Sequence, residues 1–260
     1  MSVKDVPLNV VRLGEGGVPL LMLHGWAHSL ENLRGLGELL SQDRAVHLID
    51  LPGFGQSGVP TEVWGVAEYV ERLKQYVDEA GLKQFDILGH SFGGKVAVPF
   101  CARYPGLVRR AVLINTSALR PIRAPKERIR MVCIRTLGKI LKFLKQQFDL
   151  PWYETYFIRR FASADYKQAG ALRGTFIKTL NEDFTEDARR VSAPTLLLWG
   201  EEDTETRLEI GKRLNALMPN SKLLVLPGRG HEPFRDTGAH LVAFHLRPFL
   251  ALPVGELKHA

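Results

Sequence analysis

The sequence predicts an α/β fold, and three observations carry that prediction. Short apolar runs alternate with stretches of helical periodicity, and the runs are apolar throughout rather than on alternate residues. The alternation breaks once, for a long stretch without a strand pattern, and then resumes. Strands of this kind, separated by helices, belong in a mostly parallel sheet covered on both faces.

Strands are expected at 8–13, 20–23, 45–49, 85–88 and 111–114, with helices over 31–40, 66–80 and 92–104. After the break come a strand at 193–200, a helix at 208–217, a strand at 222–228 and a helix at 237–250. Residues 120–188 are rich in helix formers and read as an inserted helical cap, so the core comprises 1–119 and 189–260. Residues 253–260 are expected to form a loose tail.

With 260 residues, 45% hydrophobic and 24% charged, the chain has the composition of one large globular domain rather than of a disordered chain. Its N-terminal residues lack the apolar core of a secretory signal, and its apolar runs are too short to span a bilayer. Cys101 and Cys133 have no metal-ligand or redox-pair spacing. A reduced, cytoplasmic setting without metal or cofactor is the expectation. The net charge of +7 is concentrated: residues 120–180 hold fourteen basic and four acidic residues, +10, which leaves −3 elsewhere.

Gly89-His90-Ser91-Phe92-Gly93 fits G-x-S-x-G, with Gly89 and Gly93 clearing space for a sharp strand-to-helix reversal. Taken alone, the pentapeptide fits either a nucleophilic Ser91 or a glycine-rich turn. A serine nucleophile needs a base and a carboxylate to orient it. Asp203 follows the run TLLLWG and His231 follows LLVLPG, both at the ends of expected parallel strands. Glu201, Glu202 and Glu205 rival Asp203, which the spacing from the strand end favours. His28, His47, His240, His245 and His259 have no comparable setting. Backbone N–H groups of Trp26 and Phe92 are the candidate oxyanion donors. His24 is expected to pin its own loop.

The segments LLMLHGW, HLIDLPGFGQS, LGHSFGG, LLLWGEED and LPGRGHEPF, in this order, resemble the α/β-hydrolase superfamily. That resemblance implies an α/β-hydrolase fold with about eight strands, an active site of Ser91, Asp203 and His231, and a loop at 50–57 that shapes the site's rim. It also implies hydrolysis of a small-molecule carboxylic ester through an acyl-enzyme, with thioester and carbon–carbon bond hydrolysis on the same triad as alternatives and a non-catalytic binding member as a further one. A local resemblance to the pimeloyl-carrier-protein methyl ester esterases does not extend through the cap. Two departures are Arg207, where the family often has proline, and Glu232 beside the base, expected to face solvent.

Residues 126–148 have helical periodicity, with Ile129, Cys133, Leu137, Ile140, Leu144 and Phe148 on one face and Arg128, Arg135, Lys139 and Lys142 on the other. Beyond them, Trp152, Tyr153, Tyr156, Phe157 and Phe161 are candidate lining for an acyl pocket, and His24 is a further candidate for the substrate pocket. The basic cap admits a solvated face, an acidic carrier protein, an anionic membrane surface or a small anionic substrate. No motif accompanies the charge that would specify nucleic acid.

Overall fold

The computed structural model describes residues 3, 6–122, 125–148, 152–161 and 163–251. Seven strands form one sheet among these residues: β1 (Val10–Leu13), β2 (Leu20–Leu23), β3 (Val46–Ile49), β4 (Phe85–His90), β5 (Val108–Ile114), β6 (Thr195–Gly200) and β7 (Ser221–Leu226). Their order is β1-β3-β2-β4-β5-β6-β7, with β1 antiparallel to β3 and every other pair parallel. This is the mostly parallel sheet expected, with seven strands where the resemblance implied about eight. The expected tail and His259 lie outside the described residues.

The sheet is buried on both sides because its strands carry apolar residues on both. One face packs against α2 (Val66–Glu79), α3 (Phe92–Arg103) and α9 (Leu208–Leu217), through Leu21, Ile87, Leu113 and Trp199. The other packs against α1 (Glu31–Leu40) and α10 (Gly238–Ala251), through Met22, Leu48, Leu88 and Leu198. Cys101 is buried in α3, while Cys133 is exposed.

Charge at the start of β4 ties this central strand to the chain entering β3 and to β5. The Asp86 carboxylate, fully buried, accepts hydrogen bonds from Arg44 (2.7 Å) and from Arg109 at Nε (2.8 Å) and Nη2 (2.6 Å). Arg109 Nη2 also donates to the Leu250 carbonyl (2.5 Å), which ties in α10.

Between β5 and β6 helices and helical turns are the only regular elements among the described residues. The chain runs through α4 (Pro125–Phe148), a π-helical turn (Tyr153–Ile158), α5 (Arg159–Phe161), α6 (Ala164–Gln168), a 3-10 turn (Gly170–Leu172), α7 (Arg173–Leu180) and α8 (Thr185–Arg190). The later part is fastened to the core. The Thr175 hydroxyl accepts from Trp64 N–H (3.1 Å), Glu182 accepts from Val66 N–H (2.9 Å), and Ala188 joins the core. The earlier part stands away from it. Of the apolar face read from the sequence, Ile129, Cys133, Leu137, Ile140 and Phe148 are exposed and only Leu144 is half-buried. α4 rests instead on Gly138, Ile134 and Leu141, because the bare Gly138 lets the Phe157 ring approach so closely that a Cβ there would sit 2.6 Å from it.

Breaking a buried ion pair from one side leaves an uncompensated charge. Asp86→Asn is therefore expected to lower stability by about 3–5 kcal/mol, measured by urea unfolding.

Candidate active site

Ser91, Asp203 and His231 each follow the C-terminal end of a parallel strand, β4, β6 and β7 respectively, so one rim of the sheet carries all three. Ser91 sits at the reversal from β4 into α3 with φ +49° and ψ −110°, a conformation costly for a residue with a side chain. The neighbouring glycines are required sterically. A Cβ at Gly93 would come within 2.2 Å of the Leu23 carbonyl oxygen, and one at Gly89 within 2.6 Å of the Gly94 backbone.

His231 Nδ1 lies 2.8 Å from Asp203 Oδ2. The Asp203 carboxylate is only 4% exposed and is held from several sides. Oδ1 accepts from the N–H groups of Glu205 (2.8 Å) and Thr206 (2.9 Å), and Oδ2 lies 2.6 Å from the Thr206 hydroxyl. Burial opposes its ionisation, but these donors outweigh burial and hold its pKa below the ordinary carboxylate value. Burial likewise opposes protonation of His231, yet Asp203, with Glu205 and Glu232 adding their charge, raises its pKa above the ordinary histidine value.

Two further acids, Glu205 and Glu232, take part here. Glu205, although its side chain is 66% exposed, reaches to 3.4 Å from His231 Nε2. Glu232 does not face solvent. Its carboxylate is half-buried, 3.6 Å from His28 Nε2, and accepts from Arg235 (3.1 Å). Its Oε1 faces His28, on the loop after β2, without a hydrogen bond to it. His28 also stacks with His90 (ring centroids 6.0 Å apart), and His90 contacts His231 (4.9 Å). From the helical insertion, Asp165 comes close enough to His28 and His231 to feel their charge. Its pKa is raised by burial.

What fixes the His231 backbone is a residue the sequence reading missed. Asn115, buried at the end of β5, donates from Nδ2 to the carbonyls of Gly230 (2.9 Å) and His231 (2.7 Å). Its Oδ1 accepts from Gly200 N–H (2.9 Å) at the end of β6. His90 Nε2–H adds a donor to the His231 carbonyl (2.9 Å). The available signal was a carboxamide ending an apolar strand, in VLINTS.

Trp26 and Phe92 pack ring to ring, 5.2 Å between centroids, which draws the loop after β2 to the start of α3. Among the described hydrogen bonds, neither backbone N–H has a protein acceptor. His24 pins this region as expected and does not line a pocket. It is fully buried, with Nδ1–H donating to Gly25 (2.7 Å) and Nε2 accepting from Leu51 N–H (2.9 Å). Burial lowers its pKa to about 4, so it stays neutral in this role. The 50–57 loop is organised by Asp50, which accepts from Leu30 N–H (2.7 Å), Gln56 N–H (2.8 Å) and Asn9 Nδ2 (2.8 Å). Gly55, at φ +55°, lies so close that a Cβ would meet Asp50 Oδ2 at 2.1 Å.

An open cleft of about 430 Å³ lies beside Glu205, between the insertion (Ile122, Arg130, Ile134, Arg160, Phe161) and the core (Thr204, Arg207, Ile210). Among the aromatics expected to line a pocket, Phe161 does so. Trp152 and Tyr156 are instead 54% and 78% exposed, and Phe157 is half-buried against α4. The aromatic wall near Ser91 comes from Trp26, Phe54, Phe92 and Phe176. Among the described residues no group of His, Cys, Asp and Glu is arranged to hold a metal.

The sheet order, with helices on both faces, is that of the α/β-hydrolase fold. Residues 18–132 match a family model for the alpha/beta hydrolase fold, and residues 177–253 match one described as TAP-like protein. The chain belongs to the α/β-hydrolase superfamily. A 2-hydroxy-6-oxononadienedioate/2-hydroxy-6-oxononatrienedioate hydrolase of Pseudomonas putida is 29% identical, across 98% of this chain and 93% of its own. The pimeloyl-acyl-carrier-protein methyl ester esterase of Edwardsiella ictaluri is 27% identical, across 85% and 89%. A solved esterase from Thermogutta terrifontis shares the fold, with a TM-score of 0.71 at 22% identity over 94% of this chain and 93% of its own.

Because Glu205 stabilises the protonated imidazole, Glu205→Gln is expected to lower the His231 pKa, moving its titration to lower pH. Histidine-resolved NMR titration of the two proteins checks this.

Proposed function

We propose that this protein is a serine hydrolase of carboxylic esters working through an acyl-enzyme on Ser91. The observation that carries the reading is the 2.8 Å hydrogen bond between His231 and a buried Asp203, on the same rim of the sheet as a serine held at φ +49°. With Asp203 accepting at Nδ1, the Nε2 of neutral His231 is the free base. In the reaction it takes the Ser91 proton as Oγ bonds to the ester carbonyl carbon. The backbone N–H groups of Trp26 and Phe92 receive the oxyanion. His231 then returns the proton to the departing alkoxide, and a water deprotonated by the same nitrogen cleaves the acyl-enzyme to acid and free serine.

Asp203 chiefly sets the resting state of His231 in this scheme, and Glu205 adds to it. Both carboxylates favour the imidazolium, and only the neutral form accepts the serine proton. The acid limb of the rate therefore lies above the ordinary histidine value. The insertion lines one side of the cleft through Ile122, Arg130, Ile134, Arg160 and Phe161, and it is the part of the chain that selects the acyl group. Carbon–carbon bond hydrolysis is the second reading, favoured by the Pseudomonas putida relative, which aligns over nearly the whole chain.

Covalent labelling by a fluorophosphonate is expected, and is lost in Ser91→Ala; an unlabelled, folded wild-type protein refutes the proposal. p-Nitrophenyl esters of increasing chain length report the acyl preference, while turnover of a vinylogous diketone without any ester hydrolysis moves the assignment to carbon–carbon cleavage. Asn115→Ala releases the His231 carbonyl and is expected to lower kcat by roughly 10–100-fold with little change in KM, as small misplacements of a base do. Steady-state kinetics on the best ester measures it.

A further inference from the structure

α4 has two faces with different partners. Arg130 and Ile134 line the cleft, and Gly138 and Leu141 continue that inward line. On the opposite side Ile129, Val132, Ile140 and Phe143 follow one another at helical spacing, 66%, 62%, 51% and 57% exposed. Residues 129, 132, 136, 140 and 143 fall within one narrow sector at 100° per residue. The sector is therefore an outward apolar stripe on a helix already held from behind.

Its electrostatic setting is one-sided. α4 contains seven basic residues and one acid, Glu127, which lies at the cleft rather than on the stripe. Lys139 and Lys142 are exposed along one flank of the stripe. Just beyond α4, Trp152 and Tyr156 also stand in solvent, residue types favoured where a membrane meets water. No helix among the described residues is long and apolar enough to cross a membrane.

We infer that the outward face of α4 is a docking surface for an anionic lipid bilayer, on which the helix lies in the interfacial plane. An apolar stripe flanked by cations matches the acyl boundary beneath anionic headgroups. An acidic carrier protein is met by the cations but gives no place to four large apolar side chains. A second copy would set two basic helices against each other. Docking in this way leaves the cleft on the opposite face of the same helix, roofed by the docked element. The inference is independent of the reaction at Ser91.

The full chain is tested by co-sedimentation with phosphatidylcholine vesicles, with and without phosphatidylglycerol, at low and high salt. Binding to the anionic vesicles is expected, weakened by salt and retained in Ser91→Ala. Lys139→Glu/Lys142→Glu weakens it by roughly fivefold or more per charge. Ile140→Ser/Phe143→Ser, which removes apolar contact and no charge, weakens it at least about tenfold. Unchanged thermal unfolding verifies that these outward substitutions leave the fold intact. Absent binding, equal binding to neutral vesicles, or binding that neither double variant reduces overturns the inference. So does a Phe143-dependent dimer, or a salt-sensitive complex with an acidic acyl-carrier protein in the absence of vesicle binding.

Discussion

The site depends on one buried carboxamide. Asn115 satisfies the end of β6 through its oxygen and the loop carrying His231 through its nitrogen, so a single side chain sets two of the three loops at the rim. A carboxamide can do this because it offers an acceptor and two donors in one rigid plane, and burial makes each bond costly to leave unmade. The Thr206 hydroxyl extends the arrangement, lying 2.9 Å from the Asn115 carbonyl and 2.6 Å from Asp203. The positions of His231 and Asp203 thus follow from polar groups that the sheet itself has buried.

The other side of the rim is set by shape and charge together. Asp50 and His24 join the loop after β2 to the 50–57 loop, and Trp26 against Phe92 draws the first of these over the start of α3. Around His231, however, the charges do more than hold a geometry. Asp203 at one nitrogen and Glu205 near the other both favour the imidazolium. The basic insertion contributes an acid here, Asp165, so the charge of this segment as a whole does not describe what it presents to the site.

Much of the scaffold was legible because each part of it is a local pattern. Helix α1 and helix α9 fall on the expected residues, since their apolar spacing and burial agree. Ser91 could be found because strain at a reversal demands glycine on both sides. Asp203 and His231 could be found because parallel strands deliver their successors to one edge. The α4 faces were not legible. Periodicity finds an apolar sector but not what covers it, and here Gly138 and Phe157 chose the inward line while Ile129, Ile140 and Phe148 were left in solvent.

By itself, then, the sequence determined the fold, the strand-end placement of a serine, an acid and a histidine, and the glycines their turns require. These are consequences of short-range sterics and of apolar periodicity, both written in neighbouring residues. Only the tertiary structure decided that Asn115 holds the His231 loop, that Glu205 reaches Nε2, that Glu232 turns inward to His28, and which face of α4 meets water. Each depends on groups distant in the chain meeting in a buried or half-buried place, where the worth of a charge or an apolar surface is set by its neighbours.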